Sequence, residues 1–231
     1  MLPAEAAFLD ANCFVVVDVL RATTTIATLF GRGMHSLTAL ENIDAARAAA
    51  RTEDRILFGE VGGVKPDGFD FGNSPVDAST ATVTGRDGAL FTTNGTRALA
   101  QLATRGTVLA GALVNAQAVA SAAAEFDRVA VVCAGGGGGT VWGLDDYAAA
   151  AVIFARLHRL APHAVLDDAS TLAVHLTKEA GWAKGSILSS HHAGVLRRLG
   201  LGPDVDFAAR EDIYEVAPSG ALVSAGVVSL R

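Results

Sequence analysis

The chain has 231 residues, 45 of them Ala and 25 Gly, so its 51% hydrophobic content overstates the supply of large apolar side chains. Enough remains for one sizeable core; a charged fraction of only 18% argues against disorder, glycines without a three-residue period against collagen, and two cysteines against a disulfide scaffold. Eighteen basic against 24 acidic side chains give a net charge of −6, which disfavours a nucleic-acid surface but permits a small anionic ligand held with a divalent cation.

The N-terminus has no basic segment ahead of an apolar stretch, and the longest apolar run, Tyr147 to Ala155, is too short to span a bilayer. A cytoplasmic protein with no membrane partner is expected, with homo-oligomerisation left open. Cys13 and Cys133 sit in apolar, strand-like runs and read as buried small hydrophobes.

Along the chain, Cys13 to Val19 is continuous and β-branched, as a strand covered on both faces would be. A helix over Thr23–Phe30 follows, then a strand at Ser36–Leu40, an Ala-rich helix at Ile43–Ala50 and a strand at Arg55–Glu60. Val61 to Pro75 is a long loop rich in glycine and proline. The alternation resumes with strands at Ala89–Thr92, Thr107–Ala110 and Arg128–Ala134, and with helices at Thr96–Ala103, Ala116–Ala124 and Leu144–Leu160. Beyond Pro162, helices are expected at Asp168–Ala180 and Ile187–Leu199, with strands at Val205–Phe207 and Ala221–Val228, the latter as an antiparallel edge.

This order predicts one three-layer α/β/α domain over residues 1–231, with a largely parallel or mixed sheet, or else two closely packed lobes. Strand, Thr-rich turn and helix recur at Val15–Leu29 and Leu90–Leu102, a faint sign of internal duplication.

In such sheets, ligands gather beyond the carboxyl ends of strands and at helix N-termini. Asp18 to Thr25 ends the first strand with a carboxylate, a guanidinium at Arg21 and three threonines. An equally open reading makes Thr23 an N-cap and pairs Asp18 with Arg21. Thr92-Thr93-Asn94-Gly95-Thr96-Arg97 joins a strand to a helix with many donors and an unhindered backbone, which favours an anion. Glu60 opens the long loop, which carries Asp70, Asn73 and Ser74 between its glycines. Asn115 follows another strand and also suits a helix cap. Gly135 to Gly139 precede Asp145 and Asp146, two acids whose place in the first helical turn also suits the helix dipole.

Familiar schemes are absent. There is no P-loop run, Gly135 to Gly143 does not fit Gly-x-Gly-x-x-Gly, and Leu20 stands where a double-aspartate phosphatase needs its second acid. Neither Cys has an Arg six residues later. The adjacent His191 and His192 do not suggest a zinc pair, and the other four histidines read as ordinary.

Taken together and in order, Asp18–Thr25, Gly59-Glu60, Gly68–Pro75, Thr92–Arg97, Asn115, Cys133-Ala134-Gly135, Asp145-Asp146 and Ser190-His191 resemble the 2-phosphosulfolactate phosphatase (ComB) family. The resemblance covers nearly the whole chain. It implies Mg²⁺-dependent hydrolysis of a small anionic phosphate monoester to sulfolactate and phosphate, a step of coenzyme M biosynthesis. A hydrolase for another small phosphorylated acid and a non-catalytic phosphoanion-binding paralogue are the alternatives. The candidate metal ligands are Asp18, Glu60 and Asp70, whose oxygen donors suit Mg²⁺. Asp18, Glu60, Asp145 and Asp146 are the catalytic candidates. Phosphate and substrate contacts are expected from Arg21, Thr23, Thr24, Asn73, Ser74, Thr93, Asn94, Gly95, Thr96, Arg97 and Asn115. The family often shows Gly-Glu-Arg where Val61 follows Glu60 here, so that basic contact is either missing or supplied by Lys65. It also often has Glu-Asp where this chain has Asp145-Asp146. Water is favoured over a carboxylate as nucleophile.

Overall fold

A computed structural model describes residues 1–6 and 8–231, without the side chains of residues 52 and 53. Its elements are α1 (Pro3–Ala6), β1 (Cys13–Val17), α2 (Ala22–Gly31), β2 (Ser36–Leu40), α3 (Ile43–Glu53), β3 (Ile56–Gly59), α4 (Pro75–Thr80), β4 (Asp87–Phe91), α5 (Gly95–Ala103) and β5 (Thr107–Gly111). After a short 3₁₀ turn come α6 (Ala116–Ala123), β6 (Val129–Cys133), α7 (Leu144–Leu160), α8 (Asp168–Leu176), α9 (Trp182–Ser189), α10 (His191–Arg198), α11 (Gly202–Ala208), β7 (Ser219–Ser224) and β8 (Val227–Leu230).

The eight strands form one mixed sheet in the order β3-β4-β2-β8-β7-β5-β1-β6. β1 lies parallel between β5 and β6, and β4 lies parallel between β3 and β2. The β7–β8 hairpin joins the two halves, pairing antiparallel with β5 on one side and β2 on the other. Three antiparallel steps reverse the direction of one half relative to the other. The ends of β1 and β4 nevertheless approach each other, since a Cβ placed on Gly95 would lie 2.7 Å from Asp18 Oδ2.

Every residue of β1 is buried, which is why it reads as an unbroken apolar run. Cys13, Val15 and Val17 pack in one core cluster with residues of α6 and α7, while Phe14 and Val16 join a second cluster with residues of α5. A smaller cluster under α3 includes Leu57, Phe69 and Ala89. Each fully buried large aliphatic or aromatic side chain contributes on the order of 1.5–3 kcal/mol. Both cysteines are free and buried, as expected.

Three expectations in the C-terminal third need correction. Val205–Phe207 belongs to α11, where Pro203 starts the helix and Asp204 stands in its first turn. Ala221–Val228 is not one edge strand. It is parts of β7 and β8 around a turn with Gly226 at φ +72°, and the hairpin lies inside the sheet. The helix expected at Ile187–Leu199 is split at Ser190, whose hydroxyl accepts from Ala193 N at 3.0 Å and begins α10. A short helix, α4, also closes the long loop, capped by Ser74 with Pro75 behind it.

Candidate active site

The exits of β1, β3, β4 and β6 open on one cavity of about 540 Å³. Asp18, Glu60, Thr93, Asn94, Asp145 and Asp146 line it, and α10 adds His191 and His192. Each acid stands at the end of a strand or the start of a helix, where backbone N–H groups are free to receive it. Glu60 accepts from Thr93 N through Oε1 and from Gly63 N through Oε2, both at 2.7 Å, so it bridges the β4–α5 turn to the loop after β3. Asp146 accepts from Val19 N at 2.9 Å and Gly135 N at 3.0 Å, which ties the exit of β1 to that of β6.

Asp18 is the least committed of these carboxylates to other chain segments. Among the described residues its Oδ1 accepts only from the nearby Ala22 N, at 3.3 Å. Burial pushes its carboxyl up to about 6; His192 and the Ala22 N–H oppose the rise, and Glu60 and Asp145 reinforce it. Burial likewise raises Asp146 well above the ordinary carboxylate range, with Asp18 and Asp145 adding to the effect. His192 Nδ1 lies 3.4 Å from Asp145 Oδ2. Its hydrogen bond to Asp145 holds the imidazole above its ordinary value against the opposing effect of burial. The site thus combines crowded carboxylates with a histidine able to carry a proton.

Gly95 begins α5 and fits tightly against the acid. A Cβ there would meet the Ala22 Cβ at 2.5 Å as well as Asp18 Oδ2. Asn94 makes no side-chain cap to its own helix; its Oδ1 accepts from Gly138 N at 3.1 Å and fastens the glycine run beside the cavity. Asn73 is 3% exposed, and its Oδ1 is buried without a hydrogen-bond partner among the described residues. Such an oxygen is costly unless a ligand or ion completes it.

Several expected contacts are committed to the fold. Thr23 Oγ1 accepts from Asp18 N, Thr24 donates to Val19 O, and Thr96 bonds back to Thr92. The alternative reading fails in both parts: Thr23 lies inside α2 with its hydroxyl on Asp18 N, while Arg21 stands at the N-cap and pairs with Asp204 at 2.7 Å, not with Asp18. Ser74 donates to Asp204 and caps α4. Asn115 pins the chain after β5 by donating to Ala110 O and Val216 O and accepting from Ala112 N. Asp70 lines an adjoining chamber rather than this cavity, and its Oδ2 accepts from Leu57 N at 2.8 Å. Arg97 is half exposed beside Glu41, and Lys65 lines an adjoining chamber.

Asp204 and His192 escaped the sequence reading. Asp204 is 183 residues from Arg21 and lies in a segment that reads as a strand, so nothing local signals the pair. His192 loses meaning when judged only as half of a His-His zinc pair. Its role depends on Asp145, which the sequence places on another helix.

The model of the 2-phosphosulpholactate phosphatase family matches residues 3–221. A relative from Deinococcus radiodurans, described as "probable 2-phosphosulfolactate phosphatase", is 42% identical over 209 residues, covering 89% of this chain and 86% of its own. Relatives of the same description from Thermus thermophilus and Parasynechococcus marenigrum are 38% and 36% identical, covering 90% and 94% of this chain and 85% and 91% of their own. A mixed α/β sheet with a carboxylate-lined cavity at its strand ends, joined to these matches, defines a phosphoric monoester hydrolase. The chain belongs to the 2-phosphosulfolactate phosphatase family.

Proposed function

We propose that the protein hydrolyses 2-phosphosulfolactate, or a closely similar small phosphorylated acid, to the hydroxy acid and inorganic phosphate, with Mg²⁺ as cofactor and the cytoplasm as its compartment. The observation that carries this reading is the buried group Asp18, Glu60, Asp145 and Asp146 facing the start of α5 across one cavity. Family membership supplies the reaction class. No described helix is long and apolar enough to cross a membrane.

The donor set fits Mg²⁺. No three acidic, His or Cys side chains form a ready-made cage among the described residues. Mg²⁺ commonly takes one or two carboxylates and completes its shell with waters and substrate phosphate. Asp18 and the unpartnered Asn73 Oδ1 would hold it, with Glu60 lining the same cavity. When bound, the ion neutralises phosphate charge and polarises the leaving oxygen.

The chain's own residues supply the rest. Backbone N–H groups at Asn94 and Gly95 receive phosphate oxygens, because the first turn of α5 leaves them free. His192, held by Asp145, donates a proton to the departing alkoxide. Asp18 or Asp145 takes the proton of the attacking water. In a single turnover in ¹⁸O-water, label is expected only in released phosphate; label in an Asp side chain contradicts direct attack by water.

The functional test is phosphate release from 2-phosphosulfolactate, phospholactate and phosphoglycerate, with Mg²⁺ and after chelation. The expected result is Mg²⁺-dependent turnover, fastest on 2-phosphosulfolactate. Full activity after complete metal stripping overturns the cofactor assignment, and no activity on any of the three overturns the reaction.

A further inference from the structure

The cavity has a second chamber. A space of about 330 Å³ adjoins it, lined by Lys65, Ser74 and Leu201, and the two share Arg21, Gly63, Asn73 and Leu199 as a common wall. Asp18, Glu60, Asp145 and Asp146 line the main cavity and Asp70 and Asp77 the second chamber, while among the described residues Arg21 and Lys65 are the only Lys or Arg side chains lining either space.

Arg21 is held with unusual care for a cavity residue. Its side chain is 3% exposed and its Nη1 donates to Asp204 Oδ2 at 2.7 Å. Its Nη2 donates to Gly63 O at 2.8 Å, and Gly63 N is in turn held by Glu60. Asp204 is also buried, and its other oxygen accepts from Ser74 Oγ at 2.6 Å. Two of the five guanidinium N–H groups are thereby used, and the remainder have no hydrogen-bond partner among the described residues. A buried ion pair is weak evidence of stabilisation alone. One that fixes a planar donor fork on the wall of two cavities has the geometry for an oxyanion.

We propose that Arg21, oriented by Asp204, is the receptor for the second acidic group of the substrate, its sulfonate or carboxylate, while the phosphate sits among the carboxylates at the start of α5. Arg21 therefore does not bind phosphate, and Asp204 is a positioning residue. The assignment rests on the phosphatase reading, and it makes the enzyme selective for phosphate esters of small acids over plain phosphate esters.

The test compares the wild type with Arg21→Lys, Asp204→Asn and the double variant Arg21→Met/Asp204→Leu. The double variant removes both buried charges, so neither is left unpaired and folding is protected. Calorimetry measures binding of sulfolactate and, separately, of inorganic phosphate with Mg²⁺. In the double variant sulfolactate affinity is expected to fall about tenfold or more, as for loss of a charge-assisted hydrogen bond, and phosphate affinity by less than about threefold. The two single variants should fall between. In turnover, the double variant should raise KM for 2-phosphosulfolactate far more than KM for phenyl phosphate. Equal losses for both ligands, or unchanged sulfolactate binding, overturn the clamp. A wild type that hydrolyses no phosphate ester overturns the phosphatase reading, and sulfolactate binding still decides the clamp.

Discussion

Asp18 shows how one residue can serve the site at the expense of the fold. Its folded-state carboxyl titrates near 6 because it is buried. A carboxyl raised above its unfolded value costs stability at pH above the folded value, and the cost fades as pH falls toward the unfolded one. Asp18→Asn, in metal-free buffer, is therefore expected to stabilise the fold at pH 7.5 by on the order of 1–2 kcal/mol, a shift of about 2–6 °C. The gain should shrink at pH 5, as thermal melts at the two pH values would show. An equal gain at both contradicts the assignment. Gly95→Val acts oppositely, driving a side chain into Ala22 and Asp18. Turnover should fall on the order of 10²-fold, because the carboxylate is displaced while most of the helix survives. A folded Gly95→Val protein with unchanged turnover contradicts the close fit.

At the level of elements, β7–β8 and α10 carry the testable content. Gly220 lies where the hairpin crosses the middle of the sheet; a Cβ there would stand 2.6 Å from both Ser229 O and Leu230 Cδ2. Gly220→Val should separate the two halves and abolish the cooperative melt, whereas the same change at an exposed turn would be mild. α10 delivers His192 to the cavity. His192→Gln should slow 2-phosphosulfolactate about 10²-fold or more, and phenyl phosphate far less, since phenoxide needs less help from a proton donor. Equal slowing of both esters contradicts a proton-donor role.

Most elements through Leu160 were legible because buried β-branched runs and Ala-rich helices differ in period. The β2 and α7 boundaries match those expected from the sequence. The strand-end acids were legible for the same reason, as each follows a strand the pattern reveals. Arg21–Asp204 and His192–Asp145 were not, because α10 and α11 meet these partners only through tertiary packing.

For the molecule as a whole, a net charge of −6 is no bar to an anionic ligand where a cavity supplies local donors. Four acids line the main cavity, and Arg21 is held beside them through Gly63 and Glu60. The ends of β1 and β4 meet at this cavity although their halves of the sheet run in opposite senses. The central claim is that this cavity is where phosphate esters are cleaved. Its most direct test is phosphate release from 2-phosphosulfolactate with Mg²⁺, measured side by side for the wild type and folded Asp18→Asn protein. The account predicts steady release by the wild type and loss of most turnover in the variant; equal rates in the two proteins would contradict it.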